Sequence, residues 1–194
     1  MVRRTKANAG ATCEAILAAA EELFTTRGVS RTTLQHIATA AGFTRGAVYW
    51  HFKDKADLLD ALIRRARLPT EELQAEDASG YAEVALTRLR EFLVLPLRRV
   101  ATDPKVRRAF EIFTQKIEYV DELERVRERH IAAVRQHQGQ IARYLAAAGL
   151  DPRASLWLHA LVAGLINTWM LDPSAFDLEA DGGAAIDGYL LGLR

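Results

Sequence analysis

The sequence predicts an all-α protein. Helical spacing of apolar residues recurs throughout, helix-capping and helix-breaking residues punctuate the runs, and no window offers the alternating β-branched pattern of a strand. With 194 residues, 49% of them hydrophobic, the chain can fill one large or two modest domains with a real core.

The first apolar stripe, Ile16, Leu17, Ala20, Leu23 and Phe24, belongs to a helix that begins near Thr12 and stops at Gly28, a natural residue to follow a helix end. Thr32, with Gln35 three residues on, makes a capping-box start for a short second helix whose Leu34, Ile37, Ala38 and Ala41 face inward, and Gly42 interrupts it. Thr44 caps a third, very short helix to about His51, and Asp54 with Asp57 opens a fourth that runs to about Arg67. Pro69 then predicts a kink or restart, and "EDASGY" a loop. A helix from about Tyr81 to Ala101 contains Pro96, and "TDP" at 102–104 caps the next, with Val106, Phe110, Phe113, Ile117 and Val120 on one face. Leu123, Val126, His130, Val134, His137, Ile141 and Leu145 form a face of a long helix ending near Gly149. "LDP" at 150–152 starts another helix, "LDP" at 171–173 stops it, and a last one runs from about Gly183 to Leu193.

The net charge of +1 hides an asymmetry. Residues 1–55 carry eight cations against four anions, a net of +4, which leaves −3 for the rest. A basic N-terminal module on a mildly acidic body points to a polyanion partner at one end. The start "MVRRTKANAG" is basic with no apolar run after it, and no later stretch reads as long and uncharged enough to span a bilayer, so a cytoplasmic location without a membrane partner is expected. The single Cys13 reads as a small filler. No nucleophile motif or phosphate loop supports an enzyme, and no cofactor is implied. His130 and His137 share a helix face without a third ligand in register, so no metal site is expected.

Residues 32–55 have the layout of a helix-turn-helix: a capped helix, a glycine turn, and a second helix short enough to lie in a major groove. Arg45 and Tyr49 are i, i+4 neighbours, and Gly46 beside them lets another surface come close. Val48 and Phe52 turn back toward Ile37 and Phe24. Thr44 sits where free backbone N–H groups suit a phosphate. Lys55 opposes the macrodipole of the fourth helix, an arrangement that an external anion would relieve; Lys53, His51, Thr32 and Thr33 are nearby. The reading is a three-helix DNA-binding domain over 1–55 and a larger helical domain over 56–194.

"TTLQHIATAAGFTRGAVYWHFKDKADLLDAL" strongly resembles the TetR family of bacterial transcriptional repressors over residues 10–62. "MVRRTK", "RRAFEIFTQKIEYVDEL" and "WMLDPSAFDL" look like the acriflavine-resistance-regulator subgroup that controls multidrug efflux pumps. Position by position, the resemblance implies operator contacts from Thr33, Thr44, Arg45, Gly46, Tyr49, Trp50, His51 and Lys55. Arg3, Arg4 and Lys6 would add contacts from an arm expected to be disordered without DNA.

In the larger half, Trp157, Leu158, Leu161, Val162, Leu165, Ile166, Trp169 and Met170 point around more than half of one helix, which implies burial on two sides. The resemblance makes the second side a homodimer through the last two helices, with Trp157, Leu161, Leu165, Trp169, Tyr189 and Leu190 at the interface, presenting two recognition helices to palindromic double-stranded DNA. Phe110, Phe113, Thr114 and Ile117, facing Leu89, Phe92, Leu93, Val134, His137, Ile141, His159 and Val162, would line an apolar pocket for a hydrophobic or cationic small molecule; the same spacing also fits a dry core. The resemblance favours the pocket, and with it a ligand-responsive repressor in which the fourth helix acts as the lever. The alternative is a DNA-binding regulator of the same fold controlling other genes, with a different ligand or none.

Overall fold

The computed structural model describes residues 2–66, 82–118 and 123–193, with side chains from residue 8 onward. Pro69, the "EDASGY" loop and Val120 lie outside the described residues. Every regular element among those described is helical: α1 (Val2–Arg27), α2 (Leu34–Ala41), α3 (Arg45–His51), α4 (Lys55–Ala66), α5 (Ala82–Thr102), α6 (Pro104–Glu111), a π-helical turn (Ile112–Lys116), α7 (Glu124–Ala147), α8 (Ala154–Leu171) and α9 (Ala180–Gly192).

Helix ends follow local chemistry. Gly28, Gly42 and Gly149 have φ of 82°, 74° and 74°, the left-handed backbone that terminates α1, α2 and α7. Asp103 Oδ1 accepts from the Lys105 backbone N–H at 2.9 Å and opens α6, with Pro104 at its first position. Two ends differ from expectation. α2 is capped by Thr33 rather than Thr32: Thr33 Oγ1 accepts from His36 N–H, and His36 Nδ1 accepts from Thr33 N–H, so a histidine fills the role expected of Gln35. Thr32 is buried, its hydroxyl donating to Gly28 O at 2.8 Å. α1 begins at Val2 rather than near Thr12, so the backbone of the expected disordered arm is helical; the run from Arg3 to Ala9 contains no breaker, and each added residue extends a helix already nucleated.

The chain forms two compact units. One gathers Met1–Ala66 with Arg108–Glu128, and the other Arg67–Arg107 with Arg129–Arg194, a division that differs from a single boundary at 55. In the first unit, Ile16, Ala20 and Phe24 of α1, Ile37 of α2, Val48 of α3 and Leu58 and Leu59 of α4 close into one buried cluster with Ile112, Phe113, Leu123 and Val126. The π-helical turn holds its place through the Val29 N–H, which donates to Lys116 O at 3.0 Å. A buried carboxylate joins three helices: Glu21 of α1, 6% exposed, accepts from Arg65 of α4 at 2.7 Å and from Arg108 of α6 at 3.2 Å.

In the second unit α5 packs on α8 and α9. α8 is, by length and composition, long and apolar enough to cross a membrane, contrary to the expectation that no stretch is. Its Leu158, Val162, Ile166 and Trp169 are buried within the chain, while Leu156, Trp157 and Leu171 are exposed.

Candidate functional site

The exposed surface of α2, α3 and the start of α4 carries the polar groups expected of a nucleic-acid reader. Thr44 takes extended backbone angles and its Oγ1 accepts from Ala47 N–H at 3.2 Å, fixing the start of α3 while its own O–H stays available to donate. Val48 anchors α3 from below, fully buried, and Phe52 closes its end. Arg45 and Tyr49 therefore point outward, where Arg45 Nη2 donates to the Tyr49 hydroxyl at 3.0 Å and the guanidinium lies 5.2 Å from the ring centroid. That contact pre-positions the arginine over its own helix. Trp50 is 74% exposed, with its ring edge-on to His51. A Cβ placed on Gly46 would meet nothing closer than Thr44 Oγ1 at 3.9 Å, so the glycine leaves room for what docks from outside, not for neighbours within the fold.

A groove of about 470 Å³ runs between these elements, lined by Ser30, Thr33, Leu34, Gln35, Arg45, Tyr49, Lys53, Asp54 and Lys55. Three cations and three hydroxyls on one concave surface, against the single carboxylate of Asp54, suit a phosphate backbone. Ser30 was not expected from sequence: its Oγ is buried and makes no hydrogen bond among the described residues. Its only sequence signal is a hydroxyl three residues ahead of the α2 cap. Lys55 corrects an expectation in the opposite sense. Its side chain is buried, only 6% exposed, so the cation that opposes the α4 dipole is held inside the protein and not offered freely to solvent. Asp54 and Asp57 supply the opposite sign there, Asp54 Oδ1 accepting from Asp57 N–H at 2.8 Å.

The residues expected around a pocket divide. Leu89, Phe92, Leu93, His137, Ile141 and Val162 are buried in the second unit, and Val134 and His159 are half-buried there. Phe92 stacks on the His137 ring at 4.7 Å and 25°, and His137 Nδ1 lies 3.0 Å from His159 Nδ1. Burial, helped by the adjacent His159, pushes His137 down to about 4; burial also lowers His159, with a contribution from His130. The pair is thus neutral at ordinary pH. Phe113 and Ile117, by contrast, pack into the core of the first unit, Phe110 is half-buried, and Thr114 is exposed with its hydroxyl donating to Phe110 O. The π-helical turn over Ile112–Lys116 accounts for the change of register: a turn wider than 3.6 residues takes Phe113 and Ile117 off the helical period that the sequence spacing assumes.

Of the residues expected at a dimer face, Trp157 is 53% exposed, and Leu161 and Leu165 are half-buried in a groove with Gly164, Thr168 and Phe176. Tyr189 is half-buried. Trp169 and Leu190 leave that face: both are buried in the second unit, Trp169 beneath the Arg107 guanidinium at 4.8 Å. No cluster of three His, Cys, Asp or Glu side chains among the described residues has metal-binding geometry.

A capped turn carrying a short, outward-facing helix set in a basic groove, in a chain that also holds a second helical unit, defines a helix-turn-helix DNA-binding regulator. Residues 16–62 match the model of the bacterial regulatory proteins of the tetR family, and residues 85–194 match the C-terminal region of MAATS-type transcriptional repressors. The HTH-type transcriptional repressor BepR of Brucella suis biovar 1 is 37% identical over all of this chain and 97% of its own. NalD, the secondary repressor of the MexAB-OprM multidrug efflux pump in Pseudomonas aeruginosa, superposes with a TM-score of 0.83 at 38% identity, over 95% of this chain and 97% of its own. SmeT in its complex with triclosan gives a TM-score of 0.76 at 32% identity, over 94% and 91% of the two chains. The chain belongs to the tetR family and is a transcriptional repressor of that type, not an enzyme.

Proposed function

We propose that this repressor acts in the cytoplasm, binds a palindromic operator as a homodimer, is released by a hydrophobic or cationic small molecule, and controls a multidrug efflux pump. The observation that carries the reading is the outward face of α3 with its groove, where Thr33, Thr44, Arg45 and Lys53 offer hydroxyls and cations around exposed Tyr49 and Trp50. In this reading Arg45 and Tyr49 reach base edges, Gly46 admits the duplex, and Trp50 and His51 flank it. Thr33, Thr44 and Ser30 hold phosphates, with Lys55 acting from within the groove wall and Arg3, Arg4 and Lys6 adding contacts from the start of α1. The second copy covers Trp157, Leu161, Leu165 and Tyr189, where exposed Leu156 and Leu191 extend the apolar surface. Control of a pump is supported by NalD, a repressor of MexAB-OprM, and a small-molecule effector by the SmeT–triclosan complex.

The test is fluorescence anisotropy of a labelled duplex from the gene's upstream region against a scrambled duplex at fixed salt, with triclosan as the first effector. Selective binding reversed by triclosan is expected. Trp157→Glu is expected to sediment as a monomer and to lose selective binding. Selective binding that neither triclosan nor a wider set of hydrophobic compounds disturbs would leave a DNA reader without the sensor.

A further inference from the structure

His137 on α7 and His159 on α8 meet through their Nδ1 atoms at 3.0 Å. Two neutral imidazoles in that geometry have one proton between them: one ring donates from Nδ1 and the other accepts. The donating ring then shows a bare Nε2 acceptor on its outer edge, and the accepting ring an Nε2–H donor. Exchanging the two tautomers preserves the inner hydrogen bond while reversing the roles of both outer edges. Phe92 stacked on His137 holds that ring in plane, and Tyr144 packs behind Phe92 at 5.9 Å. One turn along α7, Gln140 is 9% exposed and its Oε1 is buried without a hydrogen-bond partner. A buried polar atom without a partner costs free energy that a bound hydrogen-bonding group would recover. His159 is half-buried, so one residue of the pair keeps part of its surface open.

We infer that the His137–His159 pair is a tautomerically adjustable anchor for uncharged aromatic effectors, accepting a hydrogen bond from a ligand hydroxyl in one arrangement and donating one to a ligand carbonyl in the other. The inference rests on the sensor reading above and narrows its ligand class. Both rings are neutral, so the pair supplies no anion to hold a cation. A site built to hydrogen-bond discriminates against a ligand that leaves its polar atoms unmatched. Because either tautomer satisfies the inner bond, donor and acceptor ligands are served about equally, which a fixed side chain cannot do.

The test uses the full-length protein and four probes of similar size: 2-naphthol, which donates, 2-acetonaphthone, which accepts, 2-ethylnaphthalene, which does neither, and 2-naphthyltrimethylammonium. By isothermal titration calorimetry, the first two are expected to bind within about threefold of one another and each about tenfold tighter than the hydrocarbon or the cation. In protein labelled with 15N-histidine, the His137 and His159 ring nitrogen shifts are expected to exchange tautomer between the naphthol and acetonaphthone complexes. His159→Phe should level the four affinities, and His159→Gln, whose amide can turn to donate or accept, should restore part of the preference. Circular dichroism confirms that both variants fold. Equal affinities in the unmodified protein, no binding by naphthol and acetonaphthone, or one unchanged tautomer in both complexes overturns the inference. If that happens while triclosan still releases the operator, the sensor reading survives with its ligand held elsewhere.

Discussion

Glu21 shows how much one side chain can hold together. Its carboxylate is the only hydrogen-bonding partner described for Arg65, whose Nη1 makes no hydrogen bond and meets Glu14 only at 3.6 Å. The Arg65 side chain is 17% exposed and cannot turn fully to water, whereas Arg108 at 57% can. Glu21→Ala should therefore destabilise the protein by roughly 2 kcal/mol, chiefly by leaving half-buried Arg65 with only the longer Glu14 ion pair, with little owed to Arg108. Glu21→Gln, which still accepts hydrogen bonds, should cost less; urea unfolding of the two variants is the measurement. At the same scale, Cys13 behaves as the filler its sequence context suggested. It is half-buried, and burial pushes its thiol up, so the reactive thiolate is disfavoured.

Among elements, α3 depends most on its cap. Seven residues form too short a helix to persist on propensity, so the Thr44 side chain and the buried Val48 hold it. Thr44→Ala should lower unfolding stability by about 1 kcal/mol, and Thr44→Ser, which keeps the acceptor, by much less. If serine is as damaging as alanine in urea titration, the threonine methyl and not the cap carries the effect. This element was legible from sequence because a cap, a left-handed glycine and a buried valine are local signals. α2 was legible in place but not in detail: a histidine closing the cap at His36 resembles no standard cap pattern, and the adjacent Thr32 competes for the same assignment. The segment after α6 was not legible. Phe113 and Ile117 fit the helical period of Val106 and Phe110, and nothing in their identities announces the wide turn that redirects them. Trp169 was misplaced for a related reason, since an apolar helix face does not reveal that Arg107, far away in sequence, will cover part of it.

At the scale of the whole molecule, the buried histidines make stability depend on pH. An unfolded histidine titrates near 6.5, whereas native His137 titrates at about 4, and native His159 and His130 are also lowered. As pH falls below 6.5 the unfolded chain takes up protons that the native chain refuses, so stability declines until native His137 itself titrates near 4, where its slope vanishes. The loss from His137 is on the order of 3 kcal/mol across that window. Thermal unfolding at pH 7 and pH 4.5 measures it, and His137→Phe should flatten the drop; an equal drop in the variant would assign the effect to groups other than His137, His159 and His130 among them. The composition of the first unit bears on how the protein is made. Its core is finished by Ile112, Phe113, Leu123 and Val126, which the ribosome adds long after α4 has emerged. A nascent chain that has just completed the helix-turn-helix thus lacks part of its own interior, and domains that usually fold first during synthesis are here obliged to wait. The DNA-reading unit is therefore finished only when about two thirds of the polypeptide exists, and a chain terminated ahead of Ile112 lacks part of that unit's interior.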